Sequence, residues 1–309
     1  MVSAMCLGCM EFGTRINKEA SFAVLDAYYE QGGRFLDTSN NYAFWAEGGH
    51  GGESETLLGE WLKARRNRQQ LVIATKFGAQ PTIPGGGFET AEGLGKEVMT
   101  RAIEGSLGRL GIDCVDLYYC HVEDPEVPAE ETLGAFDHLR NQGKIREIGC
   151  SNHGLRRLDE ARRVSRANDW PVYQALQQRY SILQPKKDVD FGPQRLVTSQ
   201  IKDYVQASGD ISLIAYGVLR VGVVPGVPLA PEYDTAENKA ALQTIADIAT
   251  QHDRTVNEVA LSWMMNTRPI AVPLISTRSV VRLKENLRAM TLELDDGAMK
   301  TLDSLAQAV

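Results

Sequence analysis

The stretch Arg34-Phe35-Leu36-Asp37-Thr38-Ser39-Asn40-Asn41-Tyr42 decides how this chain is read. Arg34 to Leu36 has the length and composition of a short buried strand, and where it ends a carboxylate and a phenol stand together. The pattern recurs: Leu71-Val72-Ile73-Ala74-Thr75 runs into Lys76, and Val115-Asp116-Leu117-Tyr118-Tyr119-Cys120 runs into His121. Any one of these is an ordinary boundary residue. Together they put Asp37, Tyr42, Lys76 and His121 at the ends of three consecutive strands. In a parallel α/β barrel all strand C-termini open on one face, where active sites lie, so the four converge. Lys76 beside Asp37 sets a cation next to the phenol, and the pKa of Tyr42 is expected to fall from its usual value of about 10.

Working outward, strands are expected near 5–8, 34–37, 71–76, 114–120, 145–150, 172–176, 211–216 and 270–273, alternating with amphipathic helices. Leu57, Leu58, Trp61 and Leu62 recur at helical spacing, as do Val98, Ala102, Ile103, Leu107 and Leu110. Such alternation argues for a parallel sheet covered by helices. Thr255-x-x-Glu258 reads as the capping box of an extra helix before the last strand. The segments from Phe44 to Gly52, Gly78 to Gly95, Gln178 to Gln194 and Gly217 to Asp234 follow strands and belong to the catalytic face.

Composition narrows the class. The chain has 309 residues, 43% hydrophobic and 24% charged, as in a globular enzyme with a sizeable core. No low-complexity linker divides it, so residues 1–309 are expected to form one domain. No apolar run reaches the roughly 18 residues of a membrane span, and the start lacks the pattern of a signal peptide, so a cytoplasmic protein without a membrane partner is expected. The five cysteines, Cys6, Cys9, Cys114, Cys120 and Cys150, have no metal-ligand spacing and read as reduced thiols. A net charge of -7 argues against a nucleic-acid partner.

With these motifs in hand, the chain resembles the aldo-keto reductase family over nearly its whole length. The family's Asp-Thr-Ser/Ala-x-x-Tyr signature matches Asp37 to Tyr42, its Thr-Lys strand end matches Thr75-Lys76, and its Tyr-x-x-His strand end matches Tyr118 to His121. The resemblance implies a (β/α)8 TIM barrel and NADPH-dependent reduction of a small carbonyl substrate. It makes Tyr42 the acid, Lys76 and Asp37 its electrostatic partners, and His121 the donor to the substrate oxygen. A monomer or weak homo-oligomer is expected. Members usually begin with a β-hairpin across the barrel floor. Here that hairpin is expected to be missing, and the floor to be covered by a helix around Asp296 to Ala306 or by a second subunit, unless the true start lies upstream.

No Gly-x-Gly-x-x-Gly follows a strand, which speaks against a Rossmann domain. The resemblance instead assigns the nicotinamide carboxamide to Ser151, Asn152 and Gln177, with Tyr216 stacking on the ring. It brings Cys9, Met10, Gly217, Val218, Leu219 and Ser276 to the same cofactor, and gives adenine to Glu285 and Asn286. Ser151-Asn152 can equally cap the helix beginning near Gly154. After the eighth strand, Ser279 reads as the N-cap of a helix. Arg278 and Arg282 are cations at an N-terminus, misplaced there unless an anion arrives, and they suit a ribose 2′-phosphate. Departures from the family pattern are Val218-Leu219-Arg220 after Gly217, and Ser276 at the start of the phosphate loop.

Two other readings compete. A non-catalytic NADP-binding regulatory subunit can use this barrel, as potassium-channel β subunits do; the intact tetrad counts against it. A Schiff-base aldolase would use Lys76, but Asp37 opposes the neutral amine that such a lysine needs. His50, His138, His153 and His252 are expected on the surface or on helices.

Overall fold

Eight parallel strands close on themselves in chain order, with β1 (Cys6–Gly8) paired to both β2 (Phe35–Asp37) and β8 (Ala271–Ile275). Between them run β3 (Val72–Phe77), β4 (Val115–Cys120), β5 (Ile145–Ser151), β6 (Ala175–Arg179) and β7 (Ser212–Tyr216). The computed structural model describes residues 3–219 and 228–306; Arg220 and the part of the following loop through 227 lie outside them. The helices are α1 (Lys18–Glu30), α2 (Glu53–Arg65), α3 (Lys96–Leu110), α4 (Ala129–Asn141), α5 (Leu155–Ala167), α6 (Ser199–Ser208), α7 (Ala236–Gln251), α8 (Val256–Asn266), α9 (Val280–Arg288) and α10 (Asp296–Leu305). The chain is thus the (β/α)8 barrel expected of it.

Strand alternation builds two cores and the site in one stroke. Successive side chains point to opposite faces of the sheet. Leu7, Leu36, Ile73, Tyr118, Ile148, Leu176 and Leu213 join the large cluster shared with the helices, whereas Cys6, Phe35, Ala74, Leu117, Tyr119, Ala175 and Ile214 form a separate one inside the barrel. One pleat above the inner set come Gly8, Asp37, Lys76, Gln177 and Tyr216, at the C-terminal mouth. Gly149 makes room within the barrel: a Cβ there would stand 2.5 Å from the Tyr119 ring.

The helices follow their sequence signals. Leu57, Leu58, Trp61 and Leu62 of α2 are buried against the barrel, each worth about 1.5–3 kcal/mol relative to exposure. Thr255 and Glu258 form the full capping box of α8, and the Ser279 side chain caps α9.

Two details, the position of β6 and the packing of α10, differ from what the sequence suggests. β6 lies three residues later than expected, because Gln177, Gln178 and Arg179 are buried strand residues despite their polarity. No strand precedes β1 among the described residues; the ends of β1 and β2 are tied by Tyr28, whose hydroxyl reaches the carbonyl oxygens of Met5 at 2.8 Å and Phe35 at 3.0 Å. The last described helix, α10, packs with α7 and accepts a 2.8 Å bond from Trp263 of α8 at Asp303 Oδ1. Among the described residues no helix is long and apolar enough to cross a membrane.

Candidate active site

Asp37 ends β2 and Lys76 stands near the end of β3, and their register sets the two side chains against each other. Lys76 Nζ donates to Asp37 Oδ1 at 2.5 Å, to the Thr38 carbonyl at 2.8 Å and to the Tyr42 hydroxyl at 2.8 Å, which accounts for all three ammonium protons. The Tyr42 hydroxyl in turn lies 3.3 Å from Asp37 Oδ1. Asp37 and Lys76 are fully buried beneath Tyr42, which reaches the cavity wall.

The expected fall in the pKa of Tyr42 is overturned. Burial, and then the charge of Asp37, push the phenol well above its usual value. Desolvation and the carboxylate both favour the neutral phenol and outweigh the neighbouring cation. His121 is driven the other way: burial, then the Lys76 charge, hold it well below the usual histidine range, so the ring is neutral. Its Nδ1 is 3.1 Å from Ser39 Oγ, and its ring centroid 5.8 Å from that of Tyr42. Ser39 has one proton and three acceptors within reach, Asn41 Oδ1 at 2.7 Å, His121 Nδ1 at 3.1 Å and the Lys76 carbonyl at 3.4 Å. Donation to Nδ1 leaves the ring proton on Nε2; donation to Asn41 puts it on Nδ1.

Above these groups opens a cavity of about 1120 Å³, reaching from Tyr42, Trp45 and His121 to Arg278, Arg282 and Asn286. It is also lined by Met10, Ser151, Asn152, Gln177, Tyr216, Gly217, Val218, Leu219 and Ser276, so most of the expected cofactor residues converge on it. Cys9 and Glu285 do not line it. Cys9 is buried, its N–H bonded to the Asp37 carbonyl and its own carbonyl to Ser54 Oγ. Glu285 is paired with Arg282 at 3.5 Å.

Several of these residues are committed to one another. Gln177 Nε2 donates to Asp37 Oδ2 at 2.9 Å, tying the cavity floor to the tetrad. Asn152 Nδ2 donates to the His121 carbonyl and to Ser151 Oγ, while its Oδ1 accepts from Tyr216 and from the Arg195 N–H. Neither Ser151 nor Asn152 caps α5; the N–H of Gly154 is met by Glu123 Oε2 at 2.8 Å. The anion that Arg278 calls for comes from within the chain: Glu11, after β1, holds its guanidinium bidentately at 2.7 and 2.9 Å. Arg278 is therefore compensated at this N-terminus without an external anion. Asn286 fits a bound adenine, because its Oδ1 is buried on the cavity wall with no partner among the described residues and awaits a donor.

Sequence reasoning missed Glu11, Arg179 and His153. His153 is a buried side chain, not a surface one, with Nδ1 2.9 Å from the Ser151 carbonyl. Its place directly after Ser151-Asn152 was the available signal. Glu11 and Arg278 are 267 positions apart, and only barrel closure brings them together.

The sequence profile of the Aldo/keto reductase family matches residues 4–307. The chain is 29% identical to norsolorinic acid reductase stcV of Emericella nidulans, over 96% of this chain and 76% of that protein. It is 28% identical to the aldo-keto reductase yakc [NADP(+)] of Schizosaccharomyces pombe, over 97% of this chain and 87% of that one. The solved structure of the thermostable aldo-keto reductase Tm1743 superposes with a TM-score of 0.75 at 29% identity, covering 98% of this chain and 95% of that one. With the family profile matched over residues 4–307 of a closed (β/α)8 barrel, the chain belongs to the aldo/keto reductase family and is an oxidoreductase.

Proposed function

We propose that this protein reduces an aldehyde or ketone to the alcohol, with NADPH as hydride donor and Tyr42 as general acid. The observation that carries the reading is Tyr42 on the cavity wall, with its hydroxyl 2.8 Å from the buried ammonium of Lys76. NADPH, when bound, supplies the hydride. The chain supplies everything that the carbonyl oxygen needs.

Burial and Asp37 keep the proton on Tyr42 until a developing alkoxide, a stronger base than a carbonyl, takes it. The tyrosinate then formed is met by Lys76, whose charge Asp37 balances. The long 3.3 Å contact from Tyr42 to Asp37 is one that a carbonyl oxygen can replace. His121, neutral, steadies the same oxygen through Nε2 when Ser39 donates to Nδ1. Trp45 and Phe88 line the outer cavity and suit an apolar, aromatic carbonyl, and one relative is named a norsolorinic acid reductase. Support for NADPH comes from Arg282 in the cavity wall in the first turn of α9, and from the NADP(+) in another relative's name.

The test is loss of NADPH absorbance with a panel of aryl and alkyl carbonyls. Tyr42→Phe is expected to bind NADPH as tightly as wild type, by quenching of tryptophan fluorescence, and to reduce carbonyls at least about a hundredfold more slowly. A variant that binds NADPH and turns over at the normal rate removes Tyr42 from the acid role. Wild-type protein that binds NADPH but oxidises it with no carbonyl supports the regulatory-subunit reading instead.

A further inference from the structure

Three cationic side chains are at least nine-tenths buried among the described residues: Lys76, Arg162 and Arg179. Lys76 has Asp37, and Arg162 has Asp210. Among the described residues Arg179 has no carboxylate partner. It ends β6, beside Tyr216 in the register, and lines the cavity together with Gln194 and Gly217. Nε and Nη2 both donate to the amide oxygen of Gln194, at 3.0 and 2.7 Å, and Nη1 reaches the Tyr233 hydroxyl at 3.4 Å. The guanidinium carbon stands 4.4 Å from the Phe191 ring centroid and 5.9 Å from that of Tyr216. All of these partners are neutral. Residues 220–227 include no Asp or Glu that could serve.

A buried cation held only by an amide, a phenol and aromatic faces is costly, and fold stability does not call for one. Three of its five N–H groups are used in the bonds above, leaving at most two, one on each terminal nitrogen, to meet an oxyanion. Gly217 lies alongside: a Cβ there would stand in ordinary contact with the Arg179 side chain, 3.6 Å from its Cγ.

We propose that Arg179 anchors an oxyanion subsite in this cavity. The oxyanion has two candidate sources with the same chemistry, the diphosphate of the nicotinamide cofactor or a carboxylate carried by the carbonyl substrate. Only the choice of source rests on the function proposed above; the subsite itself does not.

The experiment compares wild type with Arg179→Gln. ADP-ribose, which carries the diphosphate without the nicotinamide, and adenosine 2′-monophosphate, which lacks the diphosphate, are titrated by calorimetry. If ADP-ribose weakens by about tenfold or more relative to adenosine 2′-monophosphate, the anion is the diphosphate. If ADP-ribose is unmoved and the KM ratio of 4-carboxybenzaldehyde to benzaldehyde rises by a similar factor, it is a substrate carboxylate. If no ligand responds, or all weaken alike, the proposal is overturned. Should Arg179→Gln fail to fold, wild-type protein decides: the Arg179 Nε–Hε NMR signal, assigned by its absence in Arg179→Lys, is followed on adding inorganic pyrophosphate or benzoate. A saturable shift with either supports the subsite, and no shift with both overturns it. A protein that shows this shift yet binds no NADPH would refute the function and keep the subsite.

Discussion

Asp37→Asn is the substitution whose consequences the structure states most fully. The carboxylate is buried, 2.5 Å from Lys76 Nζ, and also accepts from Gln177 and Tyr42. At an effective dielectric of about 20, unit charges at that separation attract by roughly 6–7 kcal/mol. Asparagine keeps the shape and an acceptor oxygen but leaves the ammonium buried with no counter-charge, only neutral oxygens, among them the Thr38 carbonyl and Tyr42 hydroxyl, as partners. Removing one member of a buried pair typically costs about 3–5 kcal/mol, and that is the expected loss. With an m-value of about 3 kcal/mol/M, the urea midpoint falls by about 1–1.7 M. The double variant Asp37→Asn/Lys76→Met carries no stranded charge and is expected to be more stable than Asp37→Asn alone. A single variant that loses less than about 1 kcal/mol, or a double variant as unstable as the sum of the singles, refutes the reasoning.

Other outcomes follow from the same electrostatics. Because burial and Asp37 hold the Tyr42 phenol up, kcat/KM for reduction should stay level from neutral pH to about pH 10; a falling limb near pH 8 would mean that Lys76 dominates after all. His121 and His153 are both held down by burial, so the unfolded chain binds protons below about pH 6.5 that the folded protein refuses. Stability is therefore full above that pH and falls below it, by up to about 1.4 kcal/mol per pH unit for each ring. His121→Gln should remove one of these two contributions to the slope of urea-derived stability between about pH 5 and 6.5, and an unchanged slope would count against a buried neutral His121. At the far end of the cavity, Arg282→Ala should weaken NADPH by about tenfold while barely moving NADH. Glu11→Gln releases Arg278 and should tighten NADPH relative to NADH; equal changes for both cofactors would place these residues on the shared diphosphate.

What the sequence by itself determined is what short-range physics controls. Alternation along a strand raises Asp37 above Phe35 and Lys76 above Ala74, and parallel closure of eight such strands brings their ends together, so the barrel and its tetrad could be read from residues a few positions apart. The Thr255–Glu258 capping box and the Ser279 cap are local in the same sense. Only the tertiary structure decided the signs and the partners. Tyr42 is raised rather than lowered because a pKa sums desolvation and every nearby charge, and neither is a property of one motif. Glu11 answers Arg278 across the closing seam of the barrel, Asn152 spends its amide inside the protein, and His153 is enclosed rather than exposed. Arg179, polar and at a strand end, resembles a surface residue in the sequence; its burial without a carboxylate arises where β6, β7 and the loop bearing Gln194 meet, a place no single segment describes.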